Sequence, residues 1–113
     1  MTEMTVDILG THYAICFWTE DEDKTLRDCD GYADWTKRRI VIEREVKGNL
    51  GDMDVYIRKV LRHEIVHAFL SECGLNECSG ETDCWARNET MVDWFARMGE
   101  RIYRAWEAAG ALG

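Results

Sequence analysis

The fold of this chain is decided by the stretch LRHEIVHAFL, residues 61–70. Together with the residues before it, this stretch places apolar side chains at the spacing of one helix face: Val55, Tyr56, Val60, Leu61, Val66 and Phe69. Asp52 or Asp54 can cap the start of such a helix, and Gly74 can take the left-handed conformation just past its end. The pattern therefore predicts one long helix over residues 54–73.

The residues before this helix favour strands. Residues 5–9 and 12–18 are rich in β-branched and aromatic side chains and are separated by a turn that contains glycine. A second hairpin is predicted over residues 31–43, with its outgoing strand at 39–43, and a connecting loop follows over residues 47–52. The first half of the chain is thus predicted to form a small antiparallel β-sheet of two hairpins.

The residues after the long helix are predicted to be mostly helical. A loop that contains Asn76 and Gly80 precedes a second helix over residues 83–98. Gly99 is expected to interrupt that helix, so that residues 100–109 form a last helical piece. Strands followed by helices indicate an α+β fold, in which the helical half packs on the sheet.

The composition predicts a single globular domain over residues 1–113. Apolar residues make up 46% and charged residues 32% of the chain, which allows a packed core but leaves no room for two domains. The formal net charge is -8, which argues against nucleic acid and anionic membranes as partners, because both attract clustered Lys and Arg. An acidic surface can instead favour a basic protein partner.

The sequence also predicts a cytoplasmic protein. No stretch approaches the length of a transmembrane helix, and the first residues carry acids where a secretory signal needs Lys or Arg before an apolar run. The five cysteines are an odd number and are too sparse for a disulfide scaffold. This cysteine usage favours reduced thiols in the cytosol.

A metal site is predicted within the deciding stretch. His63 and His67 are four residues apart, which on a helix places both imidazoles on the same face, one turn apart. Two ring nitrogens at that spacing can reach one ion, and His-Glu-x-x-His is the pattern typical of zinc. Glu64 lies beside the first histidine, in the position of a general base. One zinc ion of the catalytic type is therefore expected.

A zinc site with three protein ligands needs one more donor, and the segment NETMVD at residues 88–93 offers two carboxylates. Glu89 and Asp93 are four residues apart, so they share one face of the predicted second helix. The intervening loop allows that helix to return antiparallel across the first. Glu89 is predicted to be the third ligand, and Asp93 is predicted to accept a hydrogen bond from a ligand histidine.

These two segments resemble the gluzincin pattern of thermolysin-type metallopeptidases, His-Glu-x-x-His followed by Asn-Glu-x-x-x-Asp. The resemblance covers residues 63–93 and implies the same ligands, the same base and the same orienting carboxylate. The segments LRHEIVHAFL and NETMVDWFA more closely resemble short zincin-like proteins of phages and prophages, which are distant relatives of the ImmA/IrrE peptidases.

The resemblance implies a zinc metallopeptidase that binds a protein or peptide substrate in extended form. In zincins an edge strand beside the cleft pairs with the substrate, and the hairpin at residues 31–43 is expected to supply that strand. Thermolysin-type enzymes also carry a downstream His or Tyr that stabilises the oxyanion, whereas Arg97, Arg101 and Tyr103 stand in no such motif. Two alternatives stay open: a zinc-binding protein with little or no turnover, and an acidic protein-interaction module that mimics DNA.

Overall fold

The computed structural model describes residues 4–46, 53–78 and 89–113 of the chain. Within these residues the elements are strands β1 (Met4–Ile8), β2 (Thr11–Trp18), β3 (Gly31–Asp34) and β4 (Arg39–Glu43), a 3₁₀ turn at Lys24–Arg27, and helices α1 (Met53–Glu72), α2 (Leu75–Cys78) and α3 (Glu89–Ala108). A sheet followed by helices confirms the predicted α+β fold. The loop predicted at residues 47–52 and the helix start predicted at residues 83–88 lie outside the described residues.

Both predicted hairpins are present, but the sheet that they form is mixed and not antiparallel throughout. β1 pairs antiparallel with β2, and β3 pairs antiparallel with β4, in the order β1-β2-β4-β3. The two hairpins are joined through β2 and β4, which run parallel with Ile15 opposite Ile40. These two strands lie in the centre because they carry the buried residues Tyr13, Ile15, Ile40, Val41 and Ile42. The chain between these two strands, residues 19–38, includes β3 and is long enough for the connection that parallel pairing requires.

The hydrophobic core lies between the sheet and helices α1 and α3. Its buried members include Val6, Ile8, Tyr13, Ile40 and Ile42 from the sheet, Leu61, Ile65, Ala68 and Phe69 from α1, and Ile102 and Ala105 from α3. The hydroxyl of Tyr13 donates a hydrogen bond of 2.7 Å to Oε2 of Glu72, which ties β2 to the end of α1. Because α1 turns its apolar stripe inward, His63 and His67 are left on the exposed side.

The helical half differs from the prediction at two places. A single turn, α2, occupies part of the predicted loop after Gly74, whose φ of 85° is the left-handed value expected at the end of α1. α3 continues through Gly99, because Trp94 and Ile102 on either side of it are buried. That burial outweighs the ~1 kcal/mol that a glycine costs inside a helix. Within the described residues, no helix is long and apolar enough to cross a membrane.

Gly31 sets the distance between β3 and α1. A Cβ atom at this position would lie 3.0 Å from Cγ1 of Val60 and 3.1 Å from the carbonyl oxygen of Val41. Gly31→Val is therefore expected to destabilise the fold by about 1–3 kcal/mol through overpacking. Gly99→Ala is the matched control, since a Cβ there meets nothing within 4 Å, and it should stabilise the chain by about 0.5–1 kcal/mol. Urea unfolding measures both variants. If Gly31→Val proves as stable as the parent protein, or more stable, this packing is contradicted.

Glu43 is a buried carboxyl at the end of β4. Its side chain is 6% exposed, and its Oε2 has no hydrogen-bond partner in the described part of the chain. Burial raises the pKa of Glu43, the negative charges of Glu20, Glu45 and Asp30 add to the effect, and a backbone hydrogen bond from Glu45 opposes it. Because this pKa is higher in the folded than in the unfolded chain, stability is lost as the pH rises through the folded-state value.

Glu43→Gln is expected to remove this loss. The stability of the variant relative to the parent should therefore increase as the pH rises from acid to neutral. Glu107→Gln, at an exposed position on α3, is the control and should follow the parent to within about 0.5 kcal/mol. Urea unfolding at several pH values measures both variants. A stability difference between Glu43→Gln and the parent that stays constant across this range would show that Glu43 has no raised pKa.

Candidate metal centre

α1 brings the two predicted histidine ligands together on the outer side of the fold. Nε2 of His63 and Nε2 of His67 are 3.1 Å apart, and the two rings meet edge to face with centroids 4.8 Å apart. Two nitrogen ligands of a tetrahedral zinc ion are about 3.3 Å apart when each Zn–N distance is about 2.05 Å. The pair therefore has the separation that zinc ligands need, although the same distance also fits a hydrogen bond between the rings.

Glu64 lies between the histidines in sequence and is buried. Its side chain is 7% exposed, and burial raises the pKa of its carboxyl to about 7. A carboxyl that titrates near neutrality can both accept and return a proton, which is the property required of a general base. The pKa of His67 is lowered, first by burial and then by His63, which favours the neutral imidazole that binds metal.

The three residues open onto a cleft of about 630 Å³ between α1 and β3. One wall is a stripe of α1 that includes Tyr56, Val60 and Ser71 together with the histidines and Glu64. The other wall is the edge strand and the residues next to it, including Ala33 and Trp35. The predicted position of the residue 31–43 hairpin beside the cleft is thus the observed one.

Two hydrogen bonds hold the edge strand in place. The hydroxyl of Tyr56 on α1 donates to Oδ2 of Asp30, immediately before β3. The hydroxyl of Tyr32 donates to Oδ2 of Asp23. The first bond joins the residue before the strand directly to the helix that carries the histidines. It therefore holds the two walls of the cleft at a set distance from each other.

Some backbone N–H and C=O groups of β3 point away from its partner strand β4, toward the open edge of the sheet. The N–H of Glu43 donates to the carbonyl of Asp30 at 2.9 Å, and Gly31 lies opposite Ile42. In an antiparallel pair the residues with backbone groups turned toward the partner strand alternate with residues whose groups are turned away. Gly31 and Ala33 are of the second kind. Because β3 is the last strand of the described sheet on this side, the C=O of Gly31 and the N–H and C=O of Ala33 can pair with an added strand. The N–H of Gly31 is directed at the thiol of Cys29.

Glu89 and Asp93 are not brought to the histidine pair. Glu89 is the exposed first residue of α3, and Oδ2 of Asp93 accepts a hydrogen bond of 2.8 Å from Nε of Arg97. Across residues 4–46, 53–78 and 89–113, no three His, Cys, Asp or Glu side chains are grouped so that they could share a metal ion. The assignments of Glu89 as third ligand and of Asp93 as the orienting carboxylate stay predictions.

The role of Glu89 can be tested by substitution. Glu89→Gln is expected to weaken zinc binding by ~10–100-fold or more. Loss of a carboxylate that only orients a ligand histidine already has an effect of that size. Glu100→Gln, an exposed glutamate on the same helix, is the control and should leave the affinity unchanged. Competitive titration with a chromophoric zinc chelator measures both. Equal affinities for the two variants would remove Glu89 from the ligand set.

Several residues of the cleft were not singled out from the sequence. Tyr56, Lys59 and Ser71 lie in it, at four to seven residues from the nearest histidine, and this helical spacing is a signal that could have identified them. Trp35 carries no such signal, because its place in the cleft depends on how the second hairpin packs. Tyr103 is 52% exposed on α3 and is not among the described residues that line the cleft.

The fold and the site together define an α+β chain in which a helix-borne histidine pair and a buried glutamate face the edge strand of a mixed sheet. Comparison with models of known protein families, with curated proteins and with solved structures finds no match to this chain. The function is therefore argued from the site itself.

Proposed function

We propose that this protein is a zinc-dependent peptidase that hydrolyses extended peptide segments. The observation that carries the proposal is the buried Glu64, 7% exposed, beside two imidazole nitrogens 3.1 Å apart. A metal that only stabilises a fold has no use for a buried carboxyl at this position, whereas hydrolysis requires a base there. In this proposal Glu89 would be the third ligand and Asp93 would orient a histidine, which requires α3 to bring both carboxylates closer to the pair than the described structure does.

The donor set suits zinc. His63 and His67 would hold the ion through Nε2, since neutral imidazole is a common zinc ligand and both nitrogens are on the open side of α1. When bound, zinc supplies a Lewis acid that polarises a peptide carbonyl and makes water more acidic. The remaining steps depend on the side chains and backbone of the chain itself.

Glu64 is the proton carrier of the proposed reaction. Its carboxylate accepts a proton from the attacking water and later returns it to the nitrogen of the leaving amine. The apolar surroundings that bury Glu64 raise its pKa to about 7, so the transfer in either direction is not strongly uphill near neutral pH. No nucleophilic side chain is needed for this chemistry.

The edge strand β3 orients the substrate. An extended peptide that pairs with the outward backbone groups of Gly31 and Ala33 lies along the cleft, which His63 and Glu64 also line. Main-chain hydrogen bonds of this kind do not depend on the side chains of the peptide. They favour unfolded or flexible protein segments over folded ones, because only an extended chain can add to a strand edge.

We also place the protein in the cytoplasm. Cys29 and Cys73 are free thiols among the described residues, as is usual for proteins in a reducing compartment. The resemblance to phage and prophage zincin-like proteins favours the same location.

The proposal is tested with zinc-loaded protein and denatured, reduced casein as an unfolded substrate. Cleavage is expected with zinc, is expected to stop after treatment with a chelator, and should return when zinc is added back. Mass spectrometry of the products distinguishes internal cleavage from trimming at the ends. If zinc is bound at one ion per chain and neither casein nor short extended peptides are cut, the peptidase proposal is wrong and a zinc-binding role without turnover replaces it.

A further inference from the structure

Trp35 is a large apolar side chain that the fold leaves in the cleft. It is 53% exposed and lines the same cleft as His63 and Glu64. Trp94, by comparison, is 8% exposed and packs in the core. A tryptophan that is half exposed in a concave site is typical of a surface that a ligand covers.

The turn that carries Trp35 is held in a fixed conformation. Oδ1 of Asp34 accepts hydrogen bonds from the backbone N–H of Thr36 at 3.0 Å and from that of Lys37 at 3.4 Å. Arg38, which closes the turn, has a φ of 51°. The backbone of such a turn is already in place before a ligand arrives, so less conformational entropy of the backbone is lost on binding.

Trp35 lies toward one end of the cleft. Asp30 accepts a hydrogen bond from Tyr56, the fourth residue of α1, and Gly31 lies against Val60, one turn further along the helix. Strand and helix therefore advance in the same direction, and Trp35 is toward the end of the cleft that His67 and Ser71 line. Gly31 has no side chain and Ala33, on the same face, has a small one.

This order of small and large residues suits one kind of occupant. A peptide paired with β3 meets little steric obstruction at the first two positions and then meets the indole of Trp35. Two of the charged side chains of the cleft, Asp30 and Lys59, are near Tyr56 at the opposite end. An apolar side chain placed on the indole is removed from water without leaving a charge unpaired.

We propose that Trp35 determines specificity by binding a bulky apolar side chain, such as Phe or Leu, of the extended peptide that lies along β3. The identity of the occupant, a peptide substrate, rests on the proposed function. The binding itself does not, because an apolar side chain can pack on Trp35 without hydrolysis. It assigns to this cleft a preference for unfolded segments with exposed apolar residues.

The binding test uses the full chain carrying Glu64→Gln, loaded with zinc, so that bound peptide is not cut. The probes are fluorescein-labelled decapeptides of Ala, Ser and Thr that carry Phe, Leu, Lys, Glu or Ala at one position in turn. Fluorescence anisotropy should show the best Phe and Leu peptides binding about tenfold or more tightly than the Ala peptide. Adding Trp35→Ala should abolish this preference, and Trp35→Phe should retain most of it.

Tyr103→Ala is the matched control, since Tyr103 is 52% exposed on α3 and does not line the cleft. It should leave the peptide preference unchanged. Peptides that bind equally well with and without an apolar residue, or that do not bind at all, would overturn the inference. So would a preference that survives Trp35→Ala.

Cleavage by the parent protein separates this inference from the proposed function. If casein is cut and the residues flanking the cut sites are the same for the parent protein and Trp35→Ala, the specificity inference fails and the peptidase proposal stands. If no peptide is cut but binding depends on Trp35 as described, the peptidase proposal fails and the inference stands.

Discussion

Glu64→Gln is expected to lower the rate of peptide hydrolysis by about 10²–10⁴-fold, the contribution of a positioned general base. The amide has the shape of the carboxyl but cannot accept the proton of the attacking water. Zinc binding should be unchanged, because Glu64 is predicted not to be a ligand. The measurement is the initial rate of cleavage of a fluorogenic peptide, made after metal analysis has shown equal zinc in both proteins.

The interpretation of that result depends on the variant remaining folded. Glu64 is 7% exposed, and its pKa of about 7 shows that the site disfavours a buried charge in the absence of metal. An amide is therefore expected to be tolerated, and far-ultraviolet circular dichroism checks this. Glu107→Gln, an exposed glutamate on α3, is the control and should retain full activity. Equal rates for Glu64→Gln and the parent protein would remove Glu64 from the mechanism.

Zinc is expected to stabilise the parent protein, and His67→Ala is expected to remove most of that stabilisation. A ligand that binds only the folded chain adds about 4 kcal/mol to the free energy of unfolding when its concentration is about 1,000 times the Kd. Without His67 only His63 and the predicted ligand Glu89 are left, one fewer than the three protein ligands that a catalytic zinc site uses. The measurement is thermal unfolding with zinc and with chelator.

His12→Ala is the control for this experiment, because His12 is an exposed histidine on β2 outside the cleft. It should show the same increase in Tm with zinc as the parent protein. His63→Ala should behave like His67→Ala. A zinc-dependent increase in Tm that persists in both α1 variants but not in His12→Ala would place the metal elsewhere.

The features that could be predicted from the sequence are local ones. The apolar stripe and Gly74 predicted the long helix to within a residue at each end, and the four-residue spacing of His63 and His67 predicted their shared face. The hairpins followed from runs of β-branched residues and from turns close in sequence. Each of these depends on residues that are only a few positions apart.

The features that could not be predicted depend on packing between distant residues. The parallel pairing of β2 with β4 joins two hairpins whose own sequences specify only their internal turns. Burial of Glu64 and of Glu43 results from how α1 and the sheet meet, and the polar character of both residues gave no sign of it. α3 continues through Gly99 because the burial of Trp94 and Ile102 on either side stabilises the helix by more than the glycine costs. The position of Trp35 in the cleft is likewise a consequence of the fold.

The central claim is that His63 and His67 hold a zinc ion, and metal analysis of the purified protein tests it most directly. Inductively coupled plasma mass spectrometry is applied to the parent protein and to the His63→Ala/His67→Ala double variant, both dialysed after zinc supplementation. One zinc per chain is predicted for the parent protein, with loss of the metal in the double variant. Less than a stoichiometric amount of zinc in the parent protein, or the same amount in both, would contradict the account.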